Sequence, residues 1–155
     1  MATEIETRLS AMGITLPQAA APAANYVPTV QTGNLLFVSG QVPFGPDGKI
    51  QFVGKVGDDM DTDTGKDAAR LCAINILAQA KAALGDIDRI TRCVKLTGFV
   101  NSTPDFTGHP TVINGASDLI AEALGEKGSH ARAAVGMASL PLGVAVEVEA
   151  IFEVA

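Results

Sequence analysis

The chain has 155 residues, with 47% hydrophobic and 18% charged side chains, which fits one domain with a proper core and excludes a disordered chain. Eleven basic against 17 acidic residues give a formal net charge of −6, a field that opposes phosphate backbones, so no nucleic-acid partner is expected. Cys72 and Cys93, the only cysteines, form no CxxC pair; this is neither a disulfide framework nor a zinc signature and suits a reducing compartment.

The first residues offer no basic-then-apolar signal pattern, so no secretion signal is expected. Residues 9–46 carry no formal charge, but Pro17, Pro22, Pro28, Pro43 and Pro46 cut them into pieces too short for a membrane span. A cytoplasmic, soluble single domain over 1–155 is expected, with residues 1–25 as an extended leader ending in the Ala/Pro run 17–24. Residues 26–31 and 35–39 around Thr32-Gly33-Asn34 read as a hairpin, and the Pro46-Asp47-Gly48-Lys49 turn leads into a short strand at 50–53.

Thr64, with Asp67 three residues on, predicts a capped helix start. That helix runs to about Leu84, with Gly85 as its stop and an alanine-rich face for close approach to a sheet. A strand at 90–100 follows, then a helix at 109–124 ended by Gly125 and a strand at 131–137. The last strand, 144–154, alternates Val144, Val146, Val148, Ala150, Phe152 and Val154 against Glu147, Glu149 and Glu153. The order β-β-(β)-α-β-α-β-β predicts an α+β two-layer fold, a mixed sheet with two helices on one face. The other face also needs cover, and a second copy of the chain is its simplest source.

Several motifs point nowhere. Asp58, Asp59, Asp61 and Asp63 resemble a calcium loop, but Thr64 and Arg70 fall where a glycine and a bidentate glutamate belong. Carboxylates favoured by a helix N-terminus explain the run better. His109 and His130 have no further ligands at metal spacing, and no GxGxxG or P-loop pattern occurs. No metal and no cofactor are expected. Cys72 falls on an apolar helix face and reads as a small core residue.

One charge needs a reason. Arg132 is the only Lys or Arg after Lys127 and sits in a strand of small apolar residues, Ala131-Arg132-Ala133-Ala134-Val135. A guanidinium there needs anionic or carbonyl partners. If the last two strands form a hairpin about Leu140-Pro141, Val135 faces Val146, Ala133 faces Val148 and Arg132 faces Glu149. Either that pair is a plain cross-strand ion pair, or Arg132 and Glu149 form an anion pocket with a resident acid/base, a task suited to the planar guanidinium fork.

Gly33-Asn34-Leu35-Leu36-Phe37-Val38-Ser39-Gly40-Gln41-Val42-Pro43, His130-Ala131-Arg132-Ala133-Ala134-Val135, Leu140-Pro141 and Val146-Glu147-Val148-Glu149-Ala150, with Tyr26 ahead of them, resemble the RidA/YjgF family of reactive-intermediate deaminases. The resemblance runs from about residue 26 to 154 and places the chain in a longer branch. It implies a chorismate-mutase-like fold, a homotrimer with sites between subunits, and hydrolysis of enamines and imines such as 2-aminoacrylate to 2-oxo acids and ammonia without cofactor. It implies that Arg132 binds the substrate carboxylate and Glu149 handles water. Tyr26, Ser39, Gly40, Asn114 and Ala134 match pocket positions, Ala134 standing where the family has a cysteine. Ala116 and Ser117 stand where an aromatic is usual. A non-catalytic trimer that binds a small carboxylate is the alternative, and an endoribonuclease is the third reading.

Overall fold

The computed structural model describes residues 1–22 and 24–155. Its elements are α1 (Glu4–Ala11), β1 (Thr29–Thr32), β2 (Leu35–Gln41), α2 (Thr62–Leu84), β3 (Ile90–Asn101), α3 (His109–Leu124), β4 (Ala131–Met137) and β5 (Val146–Val154). The strands form one sheet in the order β1-β2-β5-β3-β4. All pairs are antiparallel except β3 with β4, which α3 connects as the crossover a parallel pair requires. The expected α+β two-layer arrangement is the one observed.

Alternation decides which face is covered. Val148, Ala150 and Phe152 of β5 and Leu96 of β3 are buried beneath α2 and α3. Small residues of α2, including Ala69, Cys72, Ala73 and Ala80, are fully buried and let the helix lie close to the sheet. A Cβ on Gly115 of α3 would run into the Lys66 carbonyl of α2, so that glycine permits the helices to touch. The opposite sheet face carries Val30 and Phe37, exposed to 52% and 41%. No helix among the described residues is long and apolar enough to cross a membrane.

Four expectations change. The leader is not wholly extended: residues 4–11 form α1, whose Ile5 and Leu9 are buried, because Thr3 and Glu6 close a capping box. Ala23, inside the expected Ala/Pro run, lies outside the described residues. α2 begins at Thr62 and is capped by Asp61 rather than Thr64: the Asp61 carboxylate accepts from the Thr64 amide at 2.8 Å, and the Thr64 hydroxyl and amide both favour its ionised form. Residues 50–53 make only isolated bridges, Phe44 with Ile50 and Val53 with Val144, because Phe52 takes φ 56° and breaks the extended run.

The fourth correction is the largest: β4 and β5 do not pair. Both pair with β3, which lies between them, so the chain from β4 steps over β3 and no Arg132–Glu149 register exists.

A residue distant in sequence holds α1 in place. The Asp88 carboxylate accepts from the Glu4 amide at 2.7 Å and the Ile5 amide at 3.0 Å. Burial works against its ionisation, but the Ile5 and Glu4 amides outweigh burial and lower its pKa. A lowered folded pKa adds stability above the ordinary value of 3.8, lost as pH falls through the folded value. Asp88→Ala should therefore cost about 1 kcal/mol at neutral pH, as loss of a helix cap does. Urea unfolding should show the gap between parent and variant full at neutral pH and narrowing as pH falls below 3.8.

Candidate functional site

Arg132 lies on the edge strand β4, level with Leu96 of β3, which is level with Ala150 of β5. Leu96 and Ala150 face the helices, so Arg132 does too, beneath α3. Asn114 and Ser117, three positions apart, present one helix face to it. Nη1 donates to Asn114 Oδ1 at 2.7 Å and to Ser117 Oγ at 3.2 Å, and Nη2 to the Pro110 carbonyl at 3.4 Å. All three acceptors are neutral. The ion pairs among the described residues are Arg8 with Glu4 and Lys81 with Glu6, so no carboxylate compensates Arg132. Of the five guanidinium N–H groups, Nε–H and one Nη2–H are uncommitted among these residues. Ala134, level with Gly98, shares this face with Arg132.

A second group gathers at the end of β2. The register breaks between Val38 and Gln41, and this irregularity presents Ser39 and Gly40 at the rim. Ser39 is tied down by its amide and hydroxyl, which donate to the Pro28 carbonyl at 2.9 and 3.0 Å. Tyr26, 48% exposed, Ser39, Gly40 and Glu147 line a cavity of about 450 Å³. Its apolar wall includes Ala20 and Pro22 of the leader, held where Gln79 Nε2 donates to the Ala20 carbonyl at 2.8 Å. A Cβ on Gly40 would approach Glu147 Oε1 to 2.7 Å; the glycine makes room for that carboxyl. Beside this cavity, Ser39, Lys95, Thr97 and Glu149 line a hollow of about 280 Å³ on the open sheet face.

The structure therefore divides the expected site residues in two. Arg132, Asn114 and Ala134 sit at the α3–β4 edge; Tyr26, Ser39, Gly40 and Glu149 sit at the β2–β5 side. Glu149 is level with Thr97 and Thr97 with Ala133, which puts Glu149 on the open face and Arg132 on the helix face. Two strand spacings, about 10 Å, also separate them. One small molecule cannot bridge the two within a single chain.

Sequence reasoning passed over Glu147, although its two-residue spacing from Glu149 placed both on one strand face. It also passed over Ser117 and left His130 as a surface or turn residue. His130 in fact reaches the Ser117 hydroxyl and the Gly128 carbonyl. His109 lies 3.2 Å from Ser102 Oγ and packs edge-on to Phe106. Cys72 is fully buried, as its helix face predicted; burial pushes its thiol pKa well up and that of Cys93 to about 12, so neither is a ready nucleophile.

Fold and sites together define an α+β domain with an arginine beneath the edge strand β4 and two carboxylates, Glu147 and Glu149, on the open face of the central strand β5. A family model described as "YjgF/chorismate mutase-like, putative endoribonuclease" matches residues 6–153, and the chain belongs to this RidA/YjgF family. Protein TCP17 of Trypanosoma cruzi is 51% identical, over 96% of this chain and 93% of its own. The crystal structure of Atu1372, a protein of unknown function from Agrobacterium tumefaciens, is 57% identical with a TM-score of 0.92, covering 98% of this chain and 93% of that one. Escherichia coli TdcF, solved with bound serine, is 28% identical with a TM-score of 0.65, covering 89% and 94%.

Burial, with the Glu149 charge added, raises the pKa of Glu147 above 4.5. A raised folded pKa means that ionising Glu147 costs folded stability as pH climbs through the raised value. Glu147→Gln should thus melt above the parent at about pH 8 and match it near about pH 4 in paired thermal scans.

Proposed function

We propose that this protein hydrolyses enamine and imine intermediates of the 2-aminoacrylate type to 2-oxo acids and ammonia, at sites completed between copies of the chain. The observation that carries the reading is the Arg132 guanidinium, fixed by three neutral acceptors with no carboxylate beside it. A small carboxylate is the partner its uncommitted Nε and Nη2 hydrogens suit, through two parallel charge-assisted bonds. The serine bound to TdcF supports a ligand of this class in a relative.

A neighbouring copy would bring its β2–β5 rim against the α3–β4 edge. The exposed Val30, Phe37 and Val135 on the open face and strand edge favour such an assembly, for which the family resemblance expects a trimer. Arg132 of one protomer then holds the carboxylate, and Tyr26, Ser39 and Gly40 of the next wall the reacting end. An enamine first tautomerises to the imine, which reacts as its N-protonated form. Glu149 takes a proton from water as the water oxygen adds to the C=N carbon, and the C=N electron pair moves onto nitrogen to give a neutral carbinolamine. Glu149 returns that proton to the nitrogen; the C–N bond then breaks as the hydroxyl loses its proton to Glu149, giving the 2-oxo acid and ammonia. General acid/base work of this kind contributes about 10²–10⁴-fold, with positioning by Arg132 adding to it.

Ribonuclease chemistry draws little support from the side chains. The net charge is −6, and the hydrogen-bond partners of the two histidines, Ser102 for His109 and Ser117 for His130, lie at separate places. A non-catalytic carboxylate-binding protein keeps the Arg132 geometry and differs in releasing no ammonia.

Ammonia release from freshly generated 2-iminobutanoate tests the reading. Arg132→Ala and Glu149→Gln should each lower the rate by about 10² or more. Co-refolded in equal amounts, the two inactive variants should regain about a quarter of parental activity, because mixed cyclic assemblies contain sites with both residues intact. Binding of 2-oxobutanoate without ammonia release would favour the non-catalytic reading. Absence of recovery would place both residues of a site in one chain and overturn the shared site.

A further inference from the structure

Resting on that reading of Arg132, we propose that Ser117 and His130 are positioning residues, a one-way hydrogen-bond relay that fixes the guanidinium for its carboxylate. His130 Nδ1 lies 2.6 Å from the Gly128 carbonyl. A carbonyl only accepts, so Nδ1 carries the ring hydrogen. In the neutral ring Nε2 is then an acceptor, and it lies 2.8 Å from Ser117 Oγ. Ser117 donates its hydroxyl hydrogen there, which leaves its lone pairs for the Arg132 Nη1–H at 3.2 Å.

The chain of donation therefore runs in one direction, from Arg132 to Ser117 to His130 to Gly128. Bonds ordered head to tail polarise one another and strengthen. Its far end is firm, because Gly128 is buried and a Cβ there would meet the Ile120 carbonyl at 2.7 Å. Its near end matters because Nη1 has two hydrogens and two acceptors, Asn114 and Ser117. With both engaged, the guanidinium plane is set by α3. The uncommitted Nε–H and Nη2–H are then held in one orientation. Without Ser117, Nη1 keeps only Asn114 and Nη2 only the longer 3.4 Å contact to the Pro110 carbonyl, and the plane is held less firmly. The cost should fall on carboxylate binding and leave the hydrolytic step, which uses other groups, largely unchanged.

Calorimetric binding of 2-oxobutanoate, with KM and kcat for 2-iminobutanoate, tests this on the full chain. Ser117→Ala should raise Kd and KM about tenfold with kcat within about twofold, the loss of one hydrogen bond to a charged group. Ser117→Thr, which keeps the hydroxyl, should restore both constants, and His130→Gln, which keeps an acceptor, should bind more tightly than His130→Leu. Nitrogen NMR of the parent should show His130 with its hydrogen on Nδ1, a readout that needs no variant and no turnover. Parental Kd in Ser117→Ala, failure of Ser117→Thr to restore it, or a hydrogen on Nε2 of the neutral ring would each overturn the relay. Arg132→Ala separates the two levels. If it binds 2-oxobutanoate like the parent, the reading of Arg132 fails; if it loses binding while Ser117→Ala does not, only the relay fails.

Discussion

A permanent positive charge on a sheet edge, compensated by dipoles and by no carboxylate among the described residues, is what the proposed chemistry of this protein depends on. Removing a guanidinium from water is costly unless its donors are satisfied, and here three of five are satisfied by an amide oxygen, a hydroxyl and a carbonyl. Neutral acceptors satisfy hydrogen bonds without cancelling charge, so the group keeps its attraction for an anion. A glutamate in the same place would have neutralised it. The difference between an ion pair and an anion site therefore lies in what α3 offers: Asn114 and Ser117.

While Val112, Ile113, Leu119 and Ile120 fix it in the core, α3 brings those two side chains down to β4. Gly115, between them in sequence, removes the Cβ that would hit the Lys66 carbonyl, so α3 rests directly against α2. β4 itself is bonded on one side only, to β3, and its small residues Ala131, Ala133 and Gly136 leave little bulk along the outer edge. In the proposed assembly a neighbouring protomer would meet backbone there, with Arg132 tucked behind the strand. An edge of this kind is normally a liability, and the proposed docking of a second copy would cover it.

The sheet order was the part of this arrangement that sequence patterning could not supply. α3 was readable to the residue, since a proline at its start and Gly125 past its end mark both limits, and β4 was equally plain. The β4–β5 hairpin looked sound because Val135 against Val146 and Ala133 against Val148 matched apolar with apolar. Two strands rich in small apolar residues satisfy that criterion in several registers. The test that mattered was facing: Arg132 shares a face with Leu96 and Ala150, whereas Glu149 shares one with Thr97. Which strand lies between two others depends on α3 packing and long-range pairing, and no local period records it. The residue types of the candidate site were legible from family resemblance; their division between the β4 edge and the open face of the central strand was not.

The leader shows the same limit from the other direction. Its alanines and prolines carry no period, yet α1 ahead of them is anchored through Asp88, and Gln79 holds the Ala20 carbonyl. Held at those two points, the leader brings residues 20–22 to wall the cavity that Tyr26, Gly40 and Glu147 also line. That wall lies beside the carboxyl whose pKa burial and the Glu149 charge raise. In the proposed assembly it would also offer non-polar surface to a ligand's side chain, with the ligand's carboxylate held by a neighbouring Arg132.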